Sequence, residues 1–161
     1  MKNNKSLCCC FTGHRPKKLT LPKQKIKEML SKAIDKAILL GYTTFITGMA
    51  PGTDTWAAEI VLERKADNKA LKLVCAIPYP KFISNSNENE KNKYNYIIKN
   101  ADHVEIVCDH YFKACFQQRN IYMVNHSSLV IALWNGSASG TKNTIDYAKR
   151  NNVKIINILN E

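Results

Sequence analysis

Apolar and polar positions along the chain fall into short runs whose period changes at regular intervals. Leu7-Cys8-Cys9-Cys10-Phe11 is a continuous apolar run ended by Thr12-Gly13, the pattern of a strand buried on both faces. From Pro22 to Leu40, Ile26, Met29, Leu30, Ala33, Ile34, Ala37 and Ile38 recur at helical spacing, and Gly41 follows as a stop. Residues 43–47 read as a second strand ended by Gly48. Thr53 or Asp54 is placed to cap a helix reaching about Asn68, with Trp56, Ala57, Ile60 and Val61 on its inner face. Residues 73–77 form a third strand, halted by Pro78 and Pro80. The polar, Asn-rich stretch 84–93 reads as a mobile surface loop, and a helix is expected over 89–100. Then come a strand at 103–107, a helix at 113–125, a strand at 128–133, a helix from Gly140 to near Asn151 and a strand at 154–158.

Strands alternating with helices predict an α/β fold, a parallel sheet with helices on both faces. No linker rich in Pro, Gly or Ser divides the chain, so one domain is expected over residues 1–161. In such sheets ligands bind beyond the carboxyl ends of the strands, where the strand order reverses. The loops that follow strands therefore matter most.

Composition narrows the classes. Apolar residues at 45% and charged residues at 23% describe an ordinary globular chain and argue against disorder. Lys plus Arg is 24 against 13 Asp plus Glu, a net charge of +11 that favours anionic partners. The longest apolar run, residues 129–134, falls far short of the ~20 a spanning helix needs. The basic start, Met1 to Lys5, precedes too short an apolar stretch for a signal peptide. A cytoplasmic protein without a membrane partner is expected. The six cysteines read as reduced, buried small hydrophobes, because three are consecutive within a strand. Cys108, His110 and Cys115 form an incomplete set for zinc, and no metal or cofactor is expected.

Three loops and a helix carry candidate chemistry. In Thr12-Gly13-His14-Arg15-Pro16, glycine permits a sharp turn and places Arg15 at the sheet edge, where a guanidinium can grip phosphate. The alternative is a tight turn with His14 and Arg15 in solvent. Gly48-Met49-Ala50-Pro51-Gly52-Thr53-Asp54 brings two glycines to a helix start. It lacks the Gly-Lys-Ser/Thr ending of a P-loop. Asp54 there either accepts ribose hydroxyls or caps the helix. In the loop from Trp134 to Thr141, Gly136, Ser139, Gly140 and Thr141 offer space, hydroxyls and backbone N–H groups to an anion, unless it is merely a flexible connection. On the helix, Phe116, Asn120, Met123 and Val124 follow one face with Arg119 beside it, a position at which arginine usually snorkels to the surface.

Together these residues resemble the YpsA-like family of the SLOG superfamily. Residues 9–19, from Cys9 through Thr12-Gly13-His14-Arg15-Pro16 to Leu19, look like its opening. Gly48 to Glu59 looks like its second motif, and Arg119-Asn120 and Gly140-Thr141 fit later ones. The resemblance spans residues 8 to about 150. It implies a three-layer, Rossmann-like sheet with a pocket for nucleotides or nucleotide-derived ligands, and kinship with DprA and the Lonely Guy phosphoribohydrolases. Arg119, Met123 and Gly140-Thr141 match the latter's motifs. Their Pro-Gly-Gly is replaced by Trp134-Asn135-Gly136, and their glutamate by Asn143 or Thr144. That glutamate supplies the negative charge which cleavage of an N-glycosidic bond needs. Asp54, Glu59 or Asp146 would have to substitute for it.

The expected function is binding of a nucleotide or nucleotide-derived ligand by a sensor, carrier or sequestering protein. Gly13, Gly48, Gly52, Gly136 and Gly140 would shape the cleft. Arg15, Arg119, Ser139 and Thr141 would hold phosphate, with His14, Asp54 and Asn120 beside them. An N-glycosidase is the alternative, with Asp54, Glu59 and Arg119 as catalytic candidates, and a nucleic-acid binder is a third reading. Oligomeric state stays open, a homo-oligomer included. Arg119→Ala is expected to weaken ligand binding about ten- to a hundredfold, with thermal stability nearly unchanged because the arginine is read as a surface residue.

Overall fold

A computed structural model describes residues 4–160; of the basic start, Met1 to Asn3 lie outside them. Six strands form one parallel sheet in the order β4-β3-β2-β1-β5-β6. They are β1 (Cys8–Gly13), β2 (Thr44–Thr47), β3 (Lys72–Ile77), β4 (His103–Ile106), β5 (Leu129–Leu133) and β6 (Lys154–Asn157). The helices between them are α1 (Lys23–Leu39), α2 (Thr53–Asp67), α3 (Glu88–Asn100), α4 (Cys115–Asn125) and α5 (Gly140–Arg150).

Period-two alternation within the strands builds two cores. Cys9 and Phe11 of β1, Phe45 of β2, Leu73, Cys75 and Ile77 of β3, and Leu129, Ile131 and Leu133 of β5 point to one face. There they meet Ile26, Leu30 and Ile34 of α1, Ala57 and Val61 of α2, and Ile97 of α3. Cys8, Cys10, Ile46, Val74, Ala76 and Val130 point the other way, against Met123 and Val124 of α4 and Ala148 of α5. The result is three layers. Each fully buried Ile, Leu or Phe contributes about 1.5–3 kcal/mol. All six cysteines are free, and all but Cys108 are buried, as expected of thiols packed as small hydrophobes.

Several boundaries differ from expectation for local reasons. β1 runs on to Gly13, because Thr12 and Gly13 pair with Ala132 and Leu133. Helix α3 begins at Glu88, inside the expected loop, because the Asn87 side chain accepts the Glu90 N–H at 2.9 Å. Helix α4 starts only at Cys115, whose N–H closes a turn onto the Phe112 carbonyl. Neither Thr53 nor Asp54 caps α2: Gly52, at φ +99°, occupies that position without a side-chain cap.

Strands β1 to β4 step outward in one direction, and the chain then returns to place β5 on the other side of β1. The connections leaving β1 and β5 lead to helices on opposite faces, α1 and α5. A crevice opens between them at the carboxyl edge, as the topology requires.

Candidate functional site

That crevice is a cleft of about 350 Å³, within the usual size range of small-molecule sites. Gly13, His14 and Arg15 come from the end of β1, Ala50 and Asp54 from the β2–α2 connection, Phe116, Arg119 and Asn120 from α4, and Ser139, Gly140 and Thr141 from the start of α5. Lys17 and Lys18 complete its basic rim. Among the predicted site residues, Gly48, Gly52, Gly136 and Glu59 do not line it.

Three buried hydrogen bonds lock the connections together. The Thr47 hydroxyl donates to the Asp54 carbonyl at 2.8 Å, and the Thr53 hydroxyl donates to the His14 carbonyl at 3.3 Å. The Arg119 Nη1 donates to the Gly48 carbonyl. Two glycines are required by close approach. A Cβ at Gly48 would lie 2.7 Å from Arg119 Nη1, and one at Gly13 would lie 2.6 Å from the Thr53 side chain. Met49, next to Gly48, has φ +61° although it is not glycine, the kind of backbone strain that persists where surrounding structure enforces it.

Arg119 overturns the expectation of a snorkelling surface residue. It is 5% exposed, on the line Cys115–Arg119–Met123 that faces the core. Its Nε donates to the Asn120 Oδ1 at 2.8 Å. Burial pushes its pKa down, and the charge of Asp54 offsets this. Its loss must therefore cost stability, contrary to the sequence expectation. Phe116 and Asn120, expected on the inner stripe, are half-buried and line the cleft instead.

Asp54 is buried, and its Oδ2 accepts the Ala50 N–H at 3.3 Å. Burial raises its pKa to about 6, against the pull of Arg119, the Ala50 N–H and Arg15. His14 is not in solvent: it is 2% exposed, and its Nε2 is buried without a hydrogen-bond partner. Burial pushes its imidazole below the ordinary pKa, with the Asn135 side chain opposing. A neutral ring with an unpaired nitrogen can accept or donate one hydrogen bond according to tautomer. The Arg15 side chain is exposed and makes no hydrogen bond or ion pair among the described residues, although its carbonyl accepts the Lys18 N–H at 3.0 Å.

The Trp134–Thr141 loop divides in two. Its first half is satisfied internally: Asn135 Oδ1 accepts from the Ser137 N–H and hydroxyl at 3.0 and 2.7 Å, and Trp134 Nε1 donates to the Ser137 carbonyl at 2.7 Å. Gly136 turns there at φ +92°, facing open space. Its second half enters the cleft. Ser139 caps α5 by accepting the Lys142 N–H at 3.2 Å, and no acidic residue occupies the first turn. That helix end is electropositive.

The other carboxylates lie elsewhere. Glu59 borders a hollow between α1 and α2, with Lys93 Nζ 3.3 Å from its Oε1 in an ion pair without hydrogen-bond alignment. Asp146 pairs with Lys142 at 2.6 Å. Thr144 is buried and donates to the Gly140 carbonyl at 3.0 Å. Asp54 is thus the carboxylate among the cleft-lining residues. Among the described residues no cluster of His, Cys, Asp and Glu can hold a metal, and no helix is long and apolar enough to cross a membrane.

Comparison with known proteins agrees with this architecture. The SPbeta prophage-derived protein YoqJ of Bacillus subtilis (strain 168) is 30% identical over 139 residues, covering 78% of this chain and 81% of that protein. A UPF0398 protein of Ligilactobacillus salivarius is 30% identical over 144 residues, covering 84% and 78%. DprA of Streptococcus pneumoniae superimposes with a TM-score of 0.68 at 21% identity, and DprA of Helicobacter pylori with 0.64 at 20%. Both superpositions use 94% of this chain, which spans half of the first protein and 64% of the second. They show a shared Rossmann-like fold. The H. pylori structure is described as showing a single-stranded DNA binding mode. The profile of the YspA SLOG family matches residues 9–159, and the chain belongs to that family.

Proposed function

We propose that the cleft binds a nucleotide or nucleotide-derived ligand through its phosphate. The observation that carries this reading is unspent polar capacity in a basic crevice. Arg15 is unpaired, the buried His14 Nε2 lacks a partner, and the α5 N-terminus carries no acidic residue. Buried polar groups are normally satisfied, so an orphan nitrogen on a ring that lines the cleft favours an anionic or hydroxyl-bearing ligand. Arg119 supports the site from beneath by fixing Gly48. Isothermal calorimetry against nucleoside monophosphates, ADP-ribose-like compounds and cyclic nucleotides tests the reading. Micromolar binding that Arg15→Ala weakens supports it, and no binding to any of them at millimolar concentration refutes it.

Two further readings each have a specific support. Hydrolytic release of the base is favoured by Asp54, a buried carboxyl in the cleft with a pKa of about 6, the property expected of a proton-transferring group. Chromatography for free base after incubation with nucleotides decides it, with Asp54→Ala as the control that must abolish release. Nucleic-acid binding is favoured by the +11 charge and the DprA likeness. It requires a gel shift that weakens steeply with salt, and a flat titration at low salt removes it.

A further inference from the structure

Loops far apart in sequence bring a group of aromatic rings to the carboxyl edge of the sheet, beside the cleft. Tyr79 and Phe82 follow β3, Tyr111 follows β4, and Phe116 lies in the first turn of α4. Tyr79 sits at the centre, with ring centroids 5.9, 5.3 and 6.0 Å from Phe82, Tyr111 and Phe116, all edge-to-face. The group is not sealed: Tyr111 is 60% exposed, and Tyr79, Phe82 and Phe116 are half-buried. The exposed Lys81 precedes Phe82, and the exposed Lys113 lies two residues after Tyr111. Asp109, on the β4–α4 connection, is nearby in sequence and exposed.

Phe116 joins this ledge to the cleft. It packs on Tyr79 and Phe82 at 6.0 Å and also lines the cleft with Arg119 and Asn120. Arg119 follows three residues later on α4, so ring and guanidinium stand about one turn, or about 5 Å, apart along the helix. The ledge itself lies over β3 and β4, about 10–14 Å from β1 at ordinary strand spacing. A group anchored by phosphate at Arg15 and the α5 N-terminus therefore meets Phe116 first, then Tyr79 and Tyr111. A separate cavity of about 210 Å³ beside Trp56 and Tyr94 is lined by Pro16 and Gly52 and shares no lining residue with the cleft.

We propose that this ledge is the base-stacking half of the site, with Phe116 and Tyr111 as recognition residues for a nucleobase whose phosphate occupies the cleft. The proposal rests on the cleft being a phosphate site. It selects a phosphate joined to a nucleobase over a bare sugar phosphate. Stacking tolerates every base, because every base presents a π-face. The bases of a free nucleotide and of a short single strand present the same chemistry, and the arms of the test separate them.

The probes are ribose 5-phosphate, adenosine 5′-monophosphate and an eight-residue oligothymidylate, each titrated by calorimetry into the full chain. Adenosine 5′-monophosphate is expected to bind at least tenfold more tightly than ribose 5-phosphate. Tyr111→Ala and Phe116→Leu are each expected to weaken it about five- to a hundredfold, and Tyr111→Ala, which alters a ring outside the cleft lining, leaves ribose 5-phosphate binding unchanged. Phe112→Ala alters a ring outside the Tyr79 group on the same connection and leaves both unchanged. Upfield shifts of the adenine H2 and H8 signals on binding, lost in Tyr111→Ala, report stacking independently of affinity. An oligothymidylate that binds more tightly than the mononucleotide and loses affinity in Tyr111→Ala identifies a strand as the source of the base. Equal binding of the two small probes, or variants that preserve their ratio, overturns the ledge and leaves the phosphate cleft standing. Failure of all three probes at millimolar concentration overturns both. A dimer in sedimentation that Tyr111→Ala dissociates makes the ledge a contact between copies and overturns the proposal.

Discussion

Arg119→Ala removes a guanidinium that α4 holds inside the protein, and the consequence can be worked from its partners. The buried Gly48 carbonyl loses a charge-assisted hydrogen bond, worth about 1.5–3 kcal/mol. The buried Asp54 carboxylate loses the charge that most offsets its desolvation. Relief of the arginine's own desolvation acts in the other direction. The lost hydrogen bond and a buried carboxylate left without its main offsetting charge together cost about 3–5 kcal/mol. For a 161-residue chain, each kcal/mol lowers Tm by about 3 °C. A fall of about 9–15 °C by calorimetric or dichroic melting at pH 7 is therefore expected.

The pH dependence of that loss separates charge from packing. With a pKa of about 6, Asp54 is mostly ionised at pH 7 and protonated at pH 4. The destabilisation by Arg119→Ala should accordingly be smaller at pH 4, where no carboxylate charge is stranded. A melting temperature within 2 °C of the parent at pH 7 would refute the buried partnership. An equal loss at both pH values would confine the effect to the hydrogen bond and the vacated volume.

Arg15→Ala takes over the behaviour first expected of Arg119: about ten- to a hundredfold weaker nucleotide binding in calorimetry with Tm unchanged, because this arginine is exposed and unpaired. Gly48→Ala should displace the guanidinium and destabilise by about 1.5–3 kcal/mol in urea unfolding; combined with Arg119→Ala it should fall well short of additivity, since both remove one contact. For Asp54 the folded pKa of about 6 exceeds the ordinary value of 3.8, so its contribution is fully present below pH 4 and is lost as pH rises through 6. At 1.36 kcal/mol per pH unit that is roughly 3 kcal/mol. The stability of the parent relative to Asp54→Asn should therefore decline between pH 4 and 7, and a flat difference would place the carboxyl in water.

The strands and layers were legible because burial on two faces leaves an unambiguous mark. Cys8 to Phe11, Phe45-Ile46 and Leu129 to Leu133 have no polar position to confuse the reading, and α1 and α2 show their buried apolar positions at helical spacing. The cleft was legible as loops, since topology alone sends the ends of β1 and β5 to one crevice. What stayed hidden was the state of individual polar side chains. Arg119 carried a signal in its spacing of four from Cys115 and Met123, both buried, but an arginine on such a line normally turns outward. It turns inward here because Gly48, 71 residues away, offers a carbonyl with no Cβ in front of it. Thr53 looked like a cap because the His14 carbonyl that takes up its hydroxyl lies 39 residues away, and Asp54 because nothing local shows that its carboxyl turns back to the Ala50 N–H instead of capping the helix. The aromatic ledge was invisible for the same reason: residues 79, 82, 111 and 116 have no common period and meet only because the loops after β3 and β4 are neighbours.

These observations divide the carboxyl edge into spent and unspent polar groups. The hydroxyls of Thr47 and Thr53 and the Nη1 of Arg119 are committed to backbone carbonyls. Such fully paired buried groups fix loop positions to a fraction of an ångström without offering anything to a ligand. The His14 backbone is tied to Thr53 by that scaffold, while the Arg15 side chain, the His14 Nε2 and the first turn of α5 retain their own capacity. On the proposed reading, a cleft whose connections are fixed in this way would spend little of a phosphate's binding energy on ordering loops. The same division explains why the two arginines must be read differently. On the proposed reading, substitution of Arg119 disturbs the scaffold and would reach a ligand indirectly, whereas substitution of Arg15 would remove a contact from an intact site. Comparing the two in both melting and binding therefore distinguishes a preorganised anion cleft from a crevice whose charge merely happens to be positive.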